Sequence, residues 1–484
     1  MANSLKDNAK YKKWLKTHHF GNCKLDRKDY GEFLSNYITG EKDGFVLNLN
    51  GSWGTGKTEF LKRLYSHMLD ENHPVIYIDA WESDFSKDPL TVVTSELLSQ
   101  LEKFNGGIGK LEDAKKVKEL FGKVLKGTAV GLAGLTTHVL AGSASIGADV
   151  VKEIVASDPK EFTQELTKNY ASQIKSIKEI RECLGQLAEV LQSTYKYSLP
   201  VVLLVDELDR CRPTYSIEML EVIKHFFSTK NFVFVVATDT EQLCHSIKCV
   251  YGDGFESEQY LKRFFDRKIS LPKPDIDQYV SLMDCPDDLS SDLYLFPREH
   301  PQDYSSVQLS IAALAKSYDL KIRGVDQLFS KTVSCLRSAS EACEKLAMKQ
   351  VLNVPVLILG LIEQDSNSEW YHQQAYNSKI SVENFKFDAL YNNMVPTRIV
   401  IIIALEAITL KQRIDKHHQI ENFKYWDTIN SREIRSLISQ KSKEEYFNVL
   451  RSYIEFCDLH KSELFNVWLW DSYKKLIELA GTIE

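Results

Sequence analysis

This chain of 484 residues is too long for one compact core, so two or three domains are expected. Hydrophobic residues make up 43% of it and charged residues 26%, as in folded soluble proteins, and the net charge of −7 provides no general basic field for nucleic acid. The nine cysteines contain no C-x-x-C pair, which argues against a disulfide scaffold or a zinc ribbon and favours reduced thiols in the cytoplasm. The N-terminus lacks the apolar core of a signal peptide.

A glycine-rich motif follows the polar lead-in at 1–43, which is predicted to be helical, and a short apolar strand at 45–49. It fits G-x-x-x-x-G-K-[ST] with Gly51, Ser52, Trp53, Gly54, Thr55, Gly56, Lys57 and Thr58. A helical pattern follows it, and glycines before a helix start let backbone N–H groups turn toward an anion. We therefore predict that residues 51–58 bind the phosphates of ATP, with Lys57 at the β and γ phosphates and the Thr58 hydroxyl on Mg²⁺. A chance glycine-rich turn is the alternative.

Three further strands are predicted at 75–78, 201–205 and 232–236, each a continuous run of β-branched and aromatic residues. Such runs are typical of parallel strands covered on both faces, and helical patterns between them favour a doubly wound α/β sheet. The predicted core therefore comprises 44–100 and 199–275. The interval between the second and third strands far exceeds a crossover connection, so a helical insertion is expected at 101–198.

Within that insertion, residues 127–148 contain no Asp, Glu, Lys or Arg. The length suits a membrane span, but glycine, alanine, serine and threonine dominate and aliphatic side chains are few. Gly127 and Gly131 form a small-xxx-small pair that suits close helix packing. A tightly packed soluble hairpin is therefore favoured over contact with a membrane.

The C-terminal region, 276–484, is predicted to be all-α. Residues 275–304 are rich in Pro, Asp and Ser and are expected to form a loop or linker. Helices are predicted at 306–350, 383–413 and 430–480. The apolar run at 351–362 contains Pro355 and is predicted to be a buried helix rather than a span.

Two carboxylates follow the strand at 201–205, namely Asp206 and Glu207. At the tip of a strand, Asp206 would hold the Mg²⁺ shell and Glu207 would polarise the attacking water, while Lys57 neutralises charge. An acidic turn after a buried strand is the alternative.

The next strand ends at Thr238 and Asp239, which are candidates for holding the lytic water or sensing the γ phosphate, against ordinary capping of a strand end. Positive charge for the transition state is expected from an arginine. Arg263 is the preferred candidate with Arg267 behind it, and Arg323 is a weaker one. A surface arginine is the alternative.

The run 204–213, L-V-D-E-L-D-R-C-R-P, resembles the Walker B signature of the KAP family of P-loop NTPases. Residues 78–82 with 88–90 resemble the N-A-W-x motif of that family, 232–243 its sensor strand, and 260–263 with 271–272 its Y-L-x-K…P segment. Two positions differ, since Glu207 stands where the family usually has Asp and Arg263 where it usually has Lys.

The resemblance implies an ATPase core of the additional-strand type, in which the sensor strand lies between the two Walker strands. It also implies Mg²⁺ and a role like those of bacterial phage-exclusion and defence members, with a homo-oligomer or effector proteins as partners. An ATP-bound scaffold for partner proteins is the alternative, and a nucleic-acid motor is a weaker one. Asp209 and Arg210 would either anchor the turn or act across a subunit boundary.

Overall fold

The architecture was analysed in a computed structural model of the chain. It describes residues 5–41, 44–86, 89–104, 119, 178, 180–193, 195–226, 229–296, 305–367, 371, 410–414, 424–428, 456, 459 and 464–482. The chain divides into two compact units, Met1–Lys273 and Pro274–Glu484. The predicted domain boundaries stay predictions, and most of the insertion at 101–198, with the stretch 127–148, lies outside the described residues.

The first unit is an α/β structure. In chain order it contains α1 (Leu5–Asn8), α2 (Trp14–Thr17), a 3-10 turn (Phe20–Asn22), α3 (Lys28–Gly40), β1 (Phe45–Asn50), α4 (Lys57–Asp70), β2 (Val75–Asp79), α5 (Pro89–Phe104), β3 (Val201–Asp206), a second 3-10 turn (Leu208–Arg210), α6 (Pro213–Phe226), β4 (Phe232–Thr238), α7 (Thr240–Tyr251), α8 (Ser257–Leu261) and β5 (Arg267–Ser270). Residues 180–193 are helical as well.

The five strands form one parallel sheet in the order β2-β3-β4-β1-β5. Every residue of β3 and β4 is buried, because helices cover both faces of the central strands. The strand β4 lies between β1 and β3, so the predicted additional-strand P-loop fold is confirmed. The carboxyl ends of β1, β3 and β4 thereby meet at one edge of the sheet, where ligands bind in open α/β folds.

The fifth strand, Arg267–Ser270, was not predicted from the sequence. Among the described strands it pairs with β1 alone. Most of its residues are exposed, so the sequence shows no apolar run there. The helix α4 does follow the predicted spacing, since Phe60, Leu61 and Leu64 are buried in the core.

The second unit mixes helices and strands. It contains α9 (Ile276–Ser281), β6 (Leu293–Phe296), α10 (Ser305–Ser317), α11 (Ile322–Leu346), β7 (Lys349–Asn353), α12 (Val354–Asp365), β8 (Leu410–Ile414), β9 (Lys424–Thr428), β10 (Phe465–Val467) and α13 (Trp470–Ala480). The strands β10, β7 and β6 form a parallel sheet in that order, and β8 pairs with β9 in antiparallel fashion.

The prediction of an all-α C-terminal region is therefore wrong. The strands β6, β7 and β10 have three to five residues each, too few to interrupt the helical patterns around them. The predicted linker at 275–304 contains α9 and β6, and the predicted helices at 383–413 and 430–480 lie largely outside the described residues.

The apolar run at 351–362 divides between a strand and a helix. The side chain of Asn353 accepts a hydrogen bond from Val356 N–H at 3.3 Å and so begins α12. Pro355 lies in the first turn of that helix, where its missing N–H costs nothing. The predicted buried helix is present from Val354, and among the described helices none is long and apolar enough to cross a membrane.

Candidate nucleotide-binding site

The glycine-rich loop at 51–56 joins the end of β1 to the start of α4. Gly54 and Gly56 have φ of 77° and 83°, a backbone region that glycine adopts without steric cost. Within the described part of the chain, no group accepts a hydrogen bond from the N–H of Gly54 or Gly56. The loop and the following helix start thus present free backbone donors, which is what an anion requires.

Asp206 is the last residue of β3 and is fully buried. Its carboxylate accepts hydrogen bonds from the Tyr77 hydroxyl at 2.9 Å and from Glu207 N–H at 2.9 Å. Burial, and then the neighbouring charge of Glu207, raises the pKa of Asp206 to about 6, although the nearby Thr58 and Tyr77 hydroxyls and Glu207 N–H oppose the rise.

Glu207 links the second loop to the first. Its Oε1 accepts a hydrogen bond of 2.8 Å from the Thr58 hydroxyl, across a sequence separation of 149 residues. Its backbone has φ of 61°, in the left-handed region that costs a side-chain-bearing residue about 1 kcal/mol or more. Surrounding contacts maintain this conformation, including an ion pair with Arg210. The two predicted loops therefore meet at one place.

Lys57 is nine-tenths buried at the start of α4. Its Nζ donates a hydrogen bond of 2.6 Å to the carbonyl oxygen of Gly51 and lies 3.8 Å from Asp209 Oδ2. The ammonium group is therefore held at the first residue of the glycine-rich loop, where it would neutralise phosphate charge.

The KAP family P-loop domain matches residues 27–440 of this chain. The chain belongs to the KAP family of P-loop NTPases. No curated protein matches the sequence. Membership of this family supports nucleotide binding at the loop just described.

Three solved structures are similar to this KAP protein at low identity. They are a DNA replication initiation factor (11% identity, 91% of this chain and 98% of that one, TM-score 0.28), PCH-2 of C. elegans (11%, 74% and 69%, TM-score 0.28) and AMPPCP-bound DnaA from Aquifex aeolicus (11%, 97% and 95%, TM-score 0.27). Likenesses this distant carry no argument about what the KAP chain binds.

The residues around Thr58 fit Mg²⁺ by their chemistry. The Thr58 hydroxyl gives its hydrogen to Glu207 and keeps oxygen lone pairs for a cation. Asp206 lies within hydrogen-bonding reach of the same hydroxyl. Hydroxyl and carboxylate oxygens are the donors that Mg²⁺ prefers, and beside substrate phosphates it takes only one or two protein ligands.

Asp209 and Arg210, whose roles the sequence left open, both contact the site. The carboxylate of Asp209 accepts a hydrogen bond of 2.6 Å from Trp53 Nε1, besides its approach to Lys57. Arg210 pairs with Glu207, and its guanidinium carbon lies 5.8 Å from the centre of the Trp81 ring. Both side chains thus have contacts within this chain, and a part of either across a subunit boundary stays a prediction.

Thr238 and Asp239 hold the glycine-rich loop from the end of β4. The Thr238 carbonyl accepts a hydrogen bond of 3.1 Å from Gly51 N–H, while its buried hydroxyl donates to Asn48 Oδ1 at 3.0 Å. Asp239 accepts from Trp53 N–H at 3.1 Å and caps α7 through Gln242 N–H at 3.4 Å. Their contact with a nucleotide stays a prediction.

Among the described residues of the first unit, Arg263 and Arg267 have no hydrogen bond or ion pair with these loops. Arg263 follows α8 with an exposed side chain, and the Arg267 guanidinium donates to the Asp266 carbonyl oxygen. Arg323 lies exposed in the first turn of α11, in the second unit. Their role as a finger stays a prediction.

Sequence reasoning missed Arg27, which precedes α3 and is only 3% exposed. Its guanidinium donates a hydrogen bond of 2.9 Å to the Thr55 carbonyl oxygen in the glycine-rich loop. A single arginine in a polar lead-in belongs to no pattern, so only the fold reveals this contact.

Proposed function

We propose that this chain is a Mg²⁺-dependent ATP-binding and hydrolysing switch of the KAP type. The contact between Thr58 and Glu207 carries the proposal, because it joins a phosphate-binding loop to a candidate catalytic carboxylate. The N–H groups of Gly54 and Gly56 and the buried Lys57, which contacts Gly51, add donors and positive charge at the same loop. Phosphoryl transfer depends mainly on such positioning and charge neutralisation.

Each side chain of the site has a separate part in this proposal. Lys57 would bind the β and γ phosphates, while Thr58 and Asp206 would hold Mg²⁺, which neutralises phosphate charge when bound. Glu207 would accept a proton from the attacking water. Arg263 is our candidate for added positive charge in the transition state, and its exposed side chain is available to a neighbouring copy of the chain.

The experiment is phosphate release by the wild type, Glu207→Gln and Lys57→Ala, with ATP binding measured on each. We expect Glu207→Gln to bind ATP but to hydrolyse it at least about 100-fold more slowly. Lys57→Ala should lose binding. Glu59→Gln is the matched control, because Glu59 lies on the exposed side of α4 and pairs with Arg63. Equal rates for the wild type and Glu207→Gln would remove Glu207 as the base.

We further propose that nucleotide state controls assembly or signalling in the cytoplasm, in bacterial defence against phage. This step rests on the resemblance of residues 204–213 to the Walker B signature of the KAP family, whose members include bacterial phage-exclusion and defence proteins. Light scattering with and without ATP tests the assembly. Neighbouring genes that encode a nuclease or another toxic effector would support defence, and a wild-type mass that ignores ATP would argue against controlled assembly.

A non-catalytic, ATP-bound scaffold is the second candidate. The pairs Lys57–Asp209 and Glu207–Arg210 favour it, because both potentially catalytic charges already have partners within the chain. This version predicts that the wild type retains ATP without turnover, while Lys57→Ala prevents assembly with partner proteins. Measurable release of phosphate by the wild type excludes it.

A further inference from the structure

The side chain of Arg27 contacts the backbone of the glycine-rich loop. One guanidinium nitrogen donates to the Thr55 carbonyl oxygen, and the other donates to the Pro272 carbonyl oxygen, both at 2.9 Å. Pro272 follows β5 and is close to the C-terminal end of the first unit in sequence, so the Arg27 side chain connects the glycine-rich loop to that segment. The guanidinium is too buried to be explained as a surface charge.

The contact with Thr55 fixes the direction of one peptide group. The Thr55–Gly56 peptide is trans, so its C=O and N–H point in opposite directions. Because the carbonyl points toward Arg27, the N–H of Gly56 points away from Arg27, and no described group accepts a hydrogen bond from it. A charged donor on the carbonyl also polarises the peptide and strengthens its N–H as a donor.

The packing around Gly56 leaves little space between the loop and Arg27. A Cβ atom added at Gly56 would lie 3.3 Å from the nearer guanidinium nitrogen of Arg27, and the φ of +83° already disfavours a side chain. The guanidinium therefore occupies the space beside Gly56 that a side chain would take.

The charge of Arg27 has no local counterpart. Among the described residues, no carboxylate lies within ion-pair distance of its guanidinium. Burial lowers the pKa of Arg27 to about 10, so the group remains charged at neutral pH. A buried cation without an anion is costly, and a bound polyphosphate would supply the missing negative charge.

We infer that Arg27 is a positioning residue of the glycine-rich loop. Arg27 orients the Gly56 N–H toward the bound polyphosphate, and its positive charge strengthens the binding of that polyphosphate. The inference rests on the proposed function, because it requires a nucleotide in the loop. The ligand class is the polyphosphate chain itself, independent of base and ribose.

The test compares Arg27→Gln and Arg27→Lys with Tyr30→Phe by calorimetric titration with Mg·ATP, Mg·ADP and inorganic triphosphate. Tyr30 is the matched control, because it lies in the first turn of α3, three residues after Arg27, and donates a hydrogen bond of 3.1 Å to the Ser270 carbonyl oxygen rather than to the loop. We expect Arg27→Gln to bind Mg·ATP and inorganic triphosphate about 10- to 100-fold more weakly. The affinity of Arg27→Lys for these ligands should fall about three- to tenfold, and that of Tyr30→Phe less than twofold.

A structural support alone would move these readouts differently. If Arg27 were only a structural support, its replacement would weaken the binding of ATP and ADP equally. If its charge acts on the polyphosphate, replacement weakens the binding of ATP more than that of ADP, and this difference shrinks as the salt concentration rises. Affinity of folded Arg27→Gln within twofold of the wild type overturns the inference, as does a loss for ATP without a loss for inorganic triphosphate. If Arg27→Gln does not fold, affinity of Arg27→Lys equal to that of the wild type overturns it.

Failure of the proposed function looks different. In that case the wild type itself binds no Mg·ATP, and Lys57→Ala changes nothing. If the wild type binds, Lys57→Ala does not, and Arg27→Gln binds normally, only the inference about Arg27 fails.

Discussion

Asp209 Oδ2 lies 3.8 Å from Lys57 Nζ, and the two side chains are 1% and 9% exposed. The same Asp209 oxygen accepts a hydrogen bond from Nε1 of Trp53, a residue of the glycine-rich loop. An internal carboxylate therefore lies close to the lysine proposed to bind phosphate. ATP entering the loop would compete with this carboxylate for Lys57.

Replacing Asp209 with Asn should therefore raise the affinity for Mg·ATP by about tenfold, or about 1.4 kcal/mol. The amide oxygen retains the bond from Trp53 Nε1, while the negative charge beside Lys57 is lost. Calorimetric titration measures the change, preferably at low salt. Asp84→Asn is the control, because Asp84 pairs with Arg212 rather than with Lys57. Weaker binding by Asp209→Asn would mean that Asp209 assists the nucleotide.

Stability near Asp206 should depend on pH. Its pKa of about 6 in the folded chain exceeds the ordinary value of about 4, so folding takes up a proton between these values. Its contribution to stability is therefore complete below pH ~4 and is lost as pH rises through ~6. Asp206→Asn stays neutral and should be more stable than the wild type at pH 7.5 by up to about 3 kcal/mol.

The measurement is urea unfolding without Mg²⁺ between pH 4.5 and 7.5. The advantage of Asp206→Asn should shrink steadily toward the acid end of the range. A difference between the two proteins that stays constant across pH would show that Asp206 does not titrate there.

Asp239 should affect both the loop and a helix. Asp239→Ala leaves Trp53 N–H without its acceptor and removes the cap of α7, so we expect about 1 kcal/mol less stability and about tenfold weaker ATP binding. Asp239→Asn keeps an oxygen acceptor and should retain most of the stability and most of the affinity for ATP. If instead Asp239→Asn lost ATP binding as fully as Asp239→Ala, the charge itself would be required.

The contact between Gly360 and Ile477 tests packing in the second unit. A Cβ added at Gly360 would lie 2.3 Å from Ile477 Cδ1, and Ile477 is fully buried. Gly360→Ala should therefore destabilise the unit by about 1 to 3 kcal/mol. Ile477→Val removes the clashing methyl group, so the double variant should be less destabilised than the sum of the single changes. Additive effects in denaturant unfolding would contradict this contact.

The sequence predicts the central sheet well, because β1, β2, β3 and β4 are buried on both faces and show it as continuous apolar runs. It does not predict β5, whose exposed residues resemble a surface segment. In the second unit, Asn353 and Pro355 end a strand and begin a helix within one apolar run, which periodicity cannot divide.

The meeting of the two loops was predictable as well, since Lys57, Thr58 and Glu207 belong to motifs with known spatial roles. The contacts of Arg27 and Asp209 were not. Each depends on a partner distant in the chain, and a single charged residue gives no spacing from which to infer that partner.

The edge strand β5 also bears on how copies of this chain can meet. The opposite edge, β2, is almost wholly buried, whereas β5 is exposed and begins with Arg267 and Lys268. In the described part of the chain no strand pairs with the outer side of β5, and positive charges along such an edge discourage pairing with another backbone and aggregation through it. Self-association of this protein would then proceed through side-chain surfaces, and its central sheet would remain limited to one molecule.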